Sequence, residues 1–333
     1  MKALVTGASG FIGSTLIEEL TNLGFDVTAL MRRTSSPSNL EGLKYERVEG
    51  DLSDYDSLCR AVKGVDYVFH LAGLTVAKNR KTYFEFNAGG TERLAKAVAE
   101  HRPGLKRFVY VSSLAAGGPA QHEKPRTETD SDHPVSAYGA AKLKGEQELL
   151  KFKDLYPVSI IRPPMVYGPK DKATFIFIQT ISRNLMPLFK GLSHDGHKHY
   201  SMVHVRDLCR GIVQAGVATP AKVPSGEIFY LCSDDIVTYE ALMTTIAERL
   251  NREPLKIRIP SFVLKAMAVG MHGLGKVSGR TFPLNLDKLN ELLPDYWTCS
   301  NAKARELLGF KPEFTLATGM ADAIDWYQAR KWI

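Results

Sequence analysis

"VTGASGFIG", residues Val5 to Gly13, places Gly7, Gly10 and Gly13 three apart behind a short apolar start. "KALVTG" reads as a buried strand. "FIGSTLIEELTNLG" carries Ile12, Leu16, Leu20 and Leu23 on one helical face, with Gly24 as its stop. "DVTALMR" reads as a second strand. The glycines thus occupy a strand-to-helix turn inside a βαβ unit, the context in which such a pattern binds a dinucleotide. Gly7 permits the tight turn. Gly10 keeps a Cβ out of the way of a pyrophosphate, and Gly13 lets the helix pack closely on the strand. The helix start adds free N–H groups and a positive dipole end. Gly7, Ser9, Gly10, Phe11, Ile12 and Gly13 are the expected contacts here.

The alternation continues outward. "KYERVEGDLSD" reads as a strand ending at Asp51 and Leu52, "DYVFHLAG" as one reaching Gly73, and "RFVYVSS" as one ending at Ser112 and Ser113. "TERLAKAVAEH" is a helix following a turn at Asn87 to Gly90, and "VSIIRPPMVYGP" is a further strand. Such alternation predicts an α/β fold of the Rossmann type, a doubly wound parallel sheet with ligands outside the carboxyl ends of its strands. Asp51, Ala72, Asn87 and Ser113 fall at those ends. The second strand ends at Met31, where an NAD-specific chain often has an acid, and Arg32 and Arg33 follow. An arginine there pairs with a 2′-phosphate, which points to NADP over NAD.

"SAYGAAKLKGEQELL" begins a helix near Ala137. Tyr138 and Lys142 are four apart and share one face. A nearby ammonium favours a phenolate, so Lys142 is expected to lower the Tyr138 pKa and ready it for proton transfer. Ser113 at a strand end can bond the same substrate oxygen.

The bulk numbers fit this reading. The 333 residues suffice for a large α/β unit with a smaller lobe. Net charge is +7, but Lys and Arg are scattered among acids, which argues against a nucleic-acid binder. Cys59, Cys209, Cys232 and Cys299 are far apart in sequence, with no zinc or redox spacing, as in reduced cytosolic chains. No signal pattern precedes the first strand, and the apolar run "FVLKAMAVGM" is too short to span a bilayer. A cytoplasmic protein without an integral membrane segment is expected. "SHDGHKHY", with His194, His197 and His199, reads as a solvated loop, with no metal expected.

Taken together, "TGASGFIG", "GDLSD", "HLAG", "FNAGGT", "VYVSS", "YGAAK", "RPPMVYGP", "VHVRDL" and "NAKARELLGFKPEFTLATGMADAIDWY" resemble the extended short-chain dehydrogenases/reductases, the NAD-dependent epimerase/dehydratase family, along nearly the whole chain. The resemblance implies Tyr138 as acid/base and Lys142 as its electrostatic partner and a nicotinamide-ribose ligand. It implies Ser113 as the carbonyl-positioning hydroxyl. Asp51 and Leu52 would contact adenine. Leu71, Ala72 and Gly73 would pass the ribose. Asn87 would be a structural asparagine, and Pro164 and Val166 neighbours of the carboxamide. It also implies a homodimer through helices that include the Tyr138 helix.

Two departures bear on substrate. "SSLAAGG" offers Leu114, Ala115 and Ala116 where 4,6-dehydratases of the family carry an acid pair. Tyr200 stands where sugar-nucleotide members tend to place a diphosphate-clamping arginine, a role Arg280 could take instead. "IPSFVLKAMAVGMHGLG" reads as a plain core helix, as the wall or lid of an apolar pocket, or as a segment touching a membrane surface, and the family's steroid and flavonoid branches share an apolar segment here. A hydrophobic carbonyl or alcohol is therefore the expected small-molecule substrate. The alternatives are an NDP-sugar epimerase and a non-catalytic dinucleotide-binding redox sensor. Glu128, in the loop Gly117 to Ser136, resembles a family acid or is a solvated one, and that loop reads as a lid. The cofactor domain is expected over 1–165 plus about 202–232, and the substrate lobe over about 166–201 plus 233–333.

Overall fold

In a computed structural model, residues 1–189, 196–259, 270 and 286–333 are described. Six strands alternate with helices up to residue 162: β1 (Lys2–Thr6), β2 (Asp26–Met31), β3 (Glu46–Glu49), β4 (Tyr67–His70), β5 (Arg107–Val111) and β6 (Val158–Arg162). The chain then leaves this sheet for β7 (Met165–Tyr167), β8 (Leu185–Phe189) and β9 (His199–His204), and returns with β10 (Glu227–Tyr230). β11 (Ile236–Thr238), β12 (Leu255–Ile259) and β13 (Tyr296–Trp297) follow.

Among the described residues, seven strands form one sheet in the order β10-β6-β5-β4-β1-β2-β3. Every pairing in it is parallel. Helices cover both faces, so β1, β4, β5 and β6 read as apolar runs with almost no exposure. The strand order reverses between β1 and β4, which opens a crevice beyond their carboxyl ends. A second sheet joins β11, β9, β13 and β7, and β12 pairs with β8. The helix Val205–Val217 fills one face of the large sheet, with Leu208, Ile212 and Ala215 in the same apolar cluster as Val5, Phe69 and Val109.

Several local readings are corrected. "VSIIRPPMVYGP" is two strands in two sheets, because Pro163 and Pro164 cannot continue a ladder. The helix Phe11–Asn22 buries Leu16, Ile17 and Leu20, while Leu23 lies past its end with 54% exposure. Asn87 to Gly90 is helical, not a turn: Phe84–Gly89 forms a π-helical stretch that runs straight into the helix Gly90–His101. Asn87 is accordingly not at a strand end. The loop after Gly117 is pinned and is no free lid: Arg126 bridges to Cys299, and the His133 N–H donates to the Gly117 carbonyl at 2.9 Å. The apolar segment from Ile259 to Gly275, apart from its first residue and Gly270, lies outside the described residues, as do His194 and Arg280.

Candidate active site

The crevice predicted by the strand order is lined by Thr6, Gly7, Ala8 and Ser9 from the end of β1 and by Leu30, Arg32 and Ser35 from the end of β2. Asp51, Leu52, Ala72 and Gly73 close it, with a volume of about 150 Å³. A dinucleotide fits this cradle for a geometric reason. Gly7 adopts φ +70°, and a Cβ on it would stand 2.8 Å from the Ala72 nitrogen. A Cβ on Gly13 would meet the Gly7 carbonyl oxygen at 2.2 Å. Only hydrogen at both positions lets the turn, the helix and the β4 end meet this closely.

The remaining expected contacts lie around the cradle rather than in it. Gly10 is exposed beside the turn, and its N–H donates to the Gly7 carbonyl at 3.0 Å. Phe11, Ile12, Leu71 and Val166 pack on the core under it. Pro164 is half-buried between β6 and β7. Asn87 is buried and clasps Leu74, accepting from its N–H at 2.7 Å and donating to its carbonyl at 3.0 Å. It thereby holds the loop that carries Ala72 and Gly73.

Sequence reading missed several supports that carry no local motif. The Thr6 hydroxyl accepts from the Ala72 N–H at 3.2 Å and sits 2.6 Å from His70 Nδ1. Burial drops the His70 pKa to about 3, so that ring stays neutral. Arg93 donates to the Leu52 carbonyl at 2.6 Å, and Asn39 donates to the Ser9 carbonyl at 3.0 Å. Burial works against the Asp51 charge, but two bonds from Ser53 and the nearby Arg32 and Arg93 hold its pKa below the ordinary value.

Tyr138 and Lys142 lie in the helix Ala137–Leu150, which Ser136 caps by accepting from the Gly139 N–H at 2.9 Å. Ser113 follows β5 and caps the short helix Leu114–Gly117. Its side chain lies beside Tyr138 and favours the phenolate. The expected pKa effect is corrected. Burial raises the Tyr138 pKa, the Glu291 charge and Tyr83 raise it further, and Ser113 only partly offsets them. Lys142 is turned elsewhere: its Nζ donates to the Val111 carbonyl at 2.6 Å and lies 4.2 Å from the Tyr110 ring centroid. Burial lowers the Lys142 pKa to about 7, although the Glu146 charge acts in the other direction. A Cβ on Gly73 would lie 3.8 Å from Lys142 Nζ, so this amine reaches the loop that closes the dinucleotide crevice.

The other flank of Tyr138 is apolar. Leu114, Ala115, Trp297, Cys232 and Cys299 cluster there, with Val135 and Tyr200 packed against them. The described buried cations nearby are committed within the protein. Arg162 is held by Asp132 and Glu146, Arg126 by the Ser131 carbonyl, and Lys198 by Asp295. Glu128 is not a solvated acid, because it accepts from the Tyr230 N–H at 2.9 Å, and burial raises its pKa.

A glycine cradle at the switch point of a parallel sheet, opening beside a serine–tyrosine pair with a lysine one turn on, defines a nicotinamide-dinucleotide-dependent enzyme. The model of the NAD dependent epimerase/dehydratase family matches residues 3–232, and the chain belongs to that family. The ceramide reductase of Caulobacter vibrioides is 30% identical over 331 residues, covering 99% of this chain and 95% of that protein. A 3 beta-hydroxysteroid dehydrogenase/Delta 5-->4-isomerase of Mycobacterium tuberculosis is 27% identical over 346 residues, covering 98% of this chain and 90% of that one. Among solved structures, UDP-glucose 4-epimerase of Thermotoga maritima, with UDP-glucose, superposes with a TM-score of 0.80 over 99% of this chain and 100% of that one, at 22% identity. That likeness is one of fold.

Proposed function

We propose that the protein is an NADP-preferring reductase or dehydrogenase acting on an apolar ketone or secondary alcohol. The observation that carries this reading is the placement of Ser113 beside Tyr138, between the dinucleotide crevice and the apolar cluster around Trp297. When bound, the nicotinamide ring supplies or accepts a hydride. Tyr138 then gives its proton to the carbonyl oxygen that becomes the alcohol, or takes that proton in the reverse direction. The raised pKa keeps the phenol protonated at neutral pH, the state a reduction requires. Ser113 donates to the same oxygen as its charge develops. Lys142 holds the nicotinamide ribose from its place beside Gly73.

Two observations favour NADP. Met31 is buried at the end of β2 with no carboxylate, and Arg32 and Ser35 line the crevice at the point where a 2′-phosphate would lie. The substrate class is supported by the aromatic and aliphatic flank of Tyr138, by the committed arginines, and by the names of the two relatives. Leu114, Ala115 and Ala116 are buried and apolar, so water elimination of the 4,6-dehydratase kind has no acid pair here. We take 1–165 plus about 202–232 as the cofactor domain, the rest as the substrate lobe, and a homodimer as the working assembly.

The test is calorimetric titration with NADPH and NADH. Turnover of a steroid 3-ketone and of a long-chain 3-oxo amide is then followed at the reduced-nicotinamide absorbance, with UDP-glucose as the competing ligand. Tighter NADPH binding with turnover of an apolar ketone supports the reading. NADH preference with UDP-glucose binding overturns it in favour of an epimerase.

A further inference from the structure

The start of the Tyr138 helix is covered by residues from the far end of the chain. Among them is the helix Leu286–Leu292. Asp287 accepts from the Ala137 N–H at 2.6 Å and from the Tyr138 N–H at 3.4 Å. The Ser136 hydroxyl donates to Glu291 Oε1 at 2.6 Å across 155 residues of sequence. Lys288 pairs with Glu291 at 2.6 Å, and its Nζ lies 5.4 Å from the centroid of the Tyr138 ring. The Glu291 carbonyl in turn accepts from Trp297 Nε1 at 2.6 Å, which ties this helix to the apolar flank of the site.

Among the described residues, the groups beside Tyr138 are Ser113 from the β5 end, Tyr83 with ring centroids 6.1 Å apart, and Lys288, Glu291 and Asp287 from the helix at 286–292. Lys142, on the phenol's own helix, points to Val111 and Gly73 instead. Among the described residues, the charges placed against the tyrosine thus come from the opposite end of the chain. We propose that Lys288 and Glu291 are positioning residues for Tyr138, an opposed charge pair that sets the proton affinity of its phenol and couples its helix to the substrate side of the site. This rests on the reading of Tyr138 as the proton donor.

A cation within about 5 Å stabilises a phenolate and an anion opposes it, with shifts on the order of one pH unit. The test replaces the tyrosine at position 138 with a ring-fluorinated tyrosine, whose lower proton affinity brings it into an accessible range, and follows its titration by fluorine NMR in the full chain. Glu291→Gln keeps an acceptor for Ser136 while removing the charge, and should move the midpoint down by about one pH unit. Lys288→Met should move it up by a similar amount, and Lys288→Arg should restore the parent midpoint. If Lys288→Met melts well below the parent, Lys288→Gln takes its place. Opposite shifts with arginine rescue support the proposal. Unmoved midpoints, or shifts in the same direction, overturn it. No turnover enters this readout, so failure to reduce any ketone would count against the reductase reading alone.

Discussion

The two ends of the site are built in different ways. The dinucleotide crevice is a backbone device: one turn, two glycines without room for a Cβ, and strand ends brought together by the parallel ladder. The Tyr138 end is a side-chain device, assembled from Ser113, the helix at 137–150 and the helix at 286–292. A backbone device tolerates almost no substitution but is written in a few consecutive residues. A side-chain device depends on partners that only folding brings together, and its chemistry can be tuned without changing the fold.

The sharpest break in this comparison is Tyr138→Phe. A positioned general acid contributes on the order of a thousandfold in rate, so turnover should fall by about that factor while cofactor binding and melting temperature hold. Retained turnover in that variant would remove the mechanism. At the other end, Gly13→Ala should act on the fold itself. Its Cβ would meet the Gly7 carbonyl oxygen at 2.2 Å, and backbone on both sides has no rotamer to yield. Destabilisation of about 2–3 kcal/mol by denaturant titration is expected, with dinucleotide binding lost. A variant as stable as the parent would show that the turn is looser than the close approach of Gly13 to Gly7 requires.

Arg32→Ala should be milder, because it alters a side chain at the rim of the backbone device. A lost charge-assisted contact corresponds to about tenfold or somewhat more, so NADPH affinity should drop by roughly that factor while NADH affinity stays. Equal loss for both cofactors would remove the 2′-phosphate role. A further prediction concerns Lys142, pH and stability. Its folded pKa of about 7 lies below the ordinary 10.5. The unfolded chain therefore binds the extra proton between those values, and this group makes stability rise as pH increases through that window. Below it the ammonium is charged in both states and its burial cost is present in full. Lys142→Met should flatten that rise, as read by melts across neutral to alkaline pH. Parallel curves for the two proteins would assign the slope to other groups.

The contrast also explains how much could be read in advance. The glycine turn, Asp51, the Ala72–Gly73 loop and the Tyr138–Lys142 spacing were legible because each is a local pattern with a stereochemical reason. "VSIIRPPMVYGP" reads as a single strand in sequence, yet it forms two strands in different sheets, and only the pairing of β7 with β9 decides that. Helical spacing alone sets Lys142 against Tyr138 and predicts a lowered phenol pKa. The structure turns that lysine toward Val111 and supplies an anion and a cation from residues 291 and 288 instead.

By itself the sequence determined the class of fold, the cofactor crevice and the residues able to move a proton, because backbone freedom and helical spacing are properties of adjacent positions. Tertiary structure alone decided which way the Lys142 amine points, which charges face Tyr138, and that the flank beside it is closed by Trp297 and Tyr200. Those outcomes depend on the distance between groups that lie from about thirty to more than a hundred and fifty residues apart in sequence. The electrostatics of a buried phenol follows that distance and not the order of the chain.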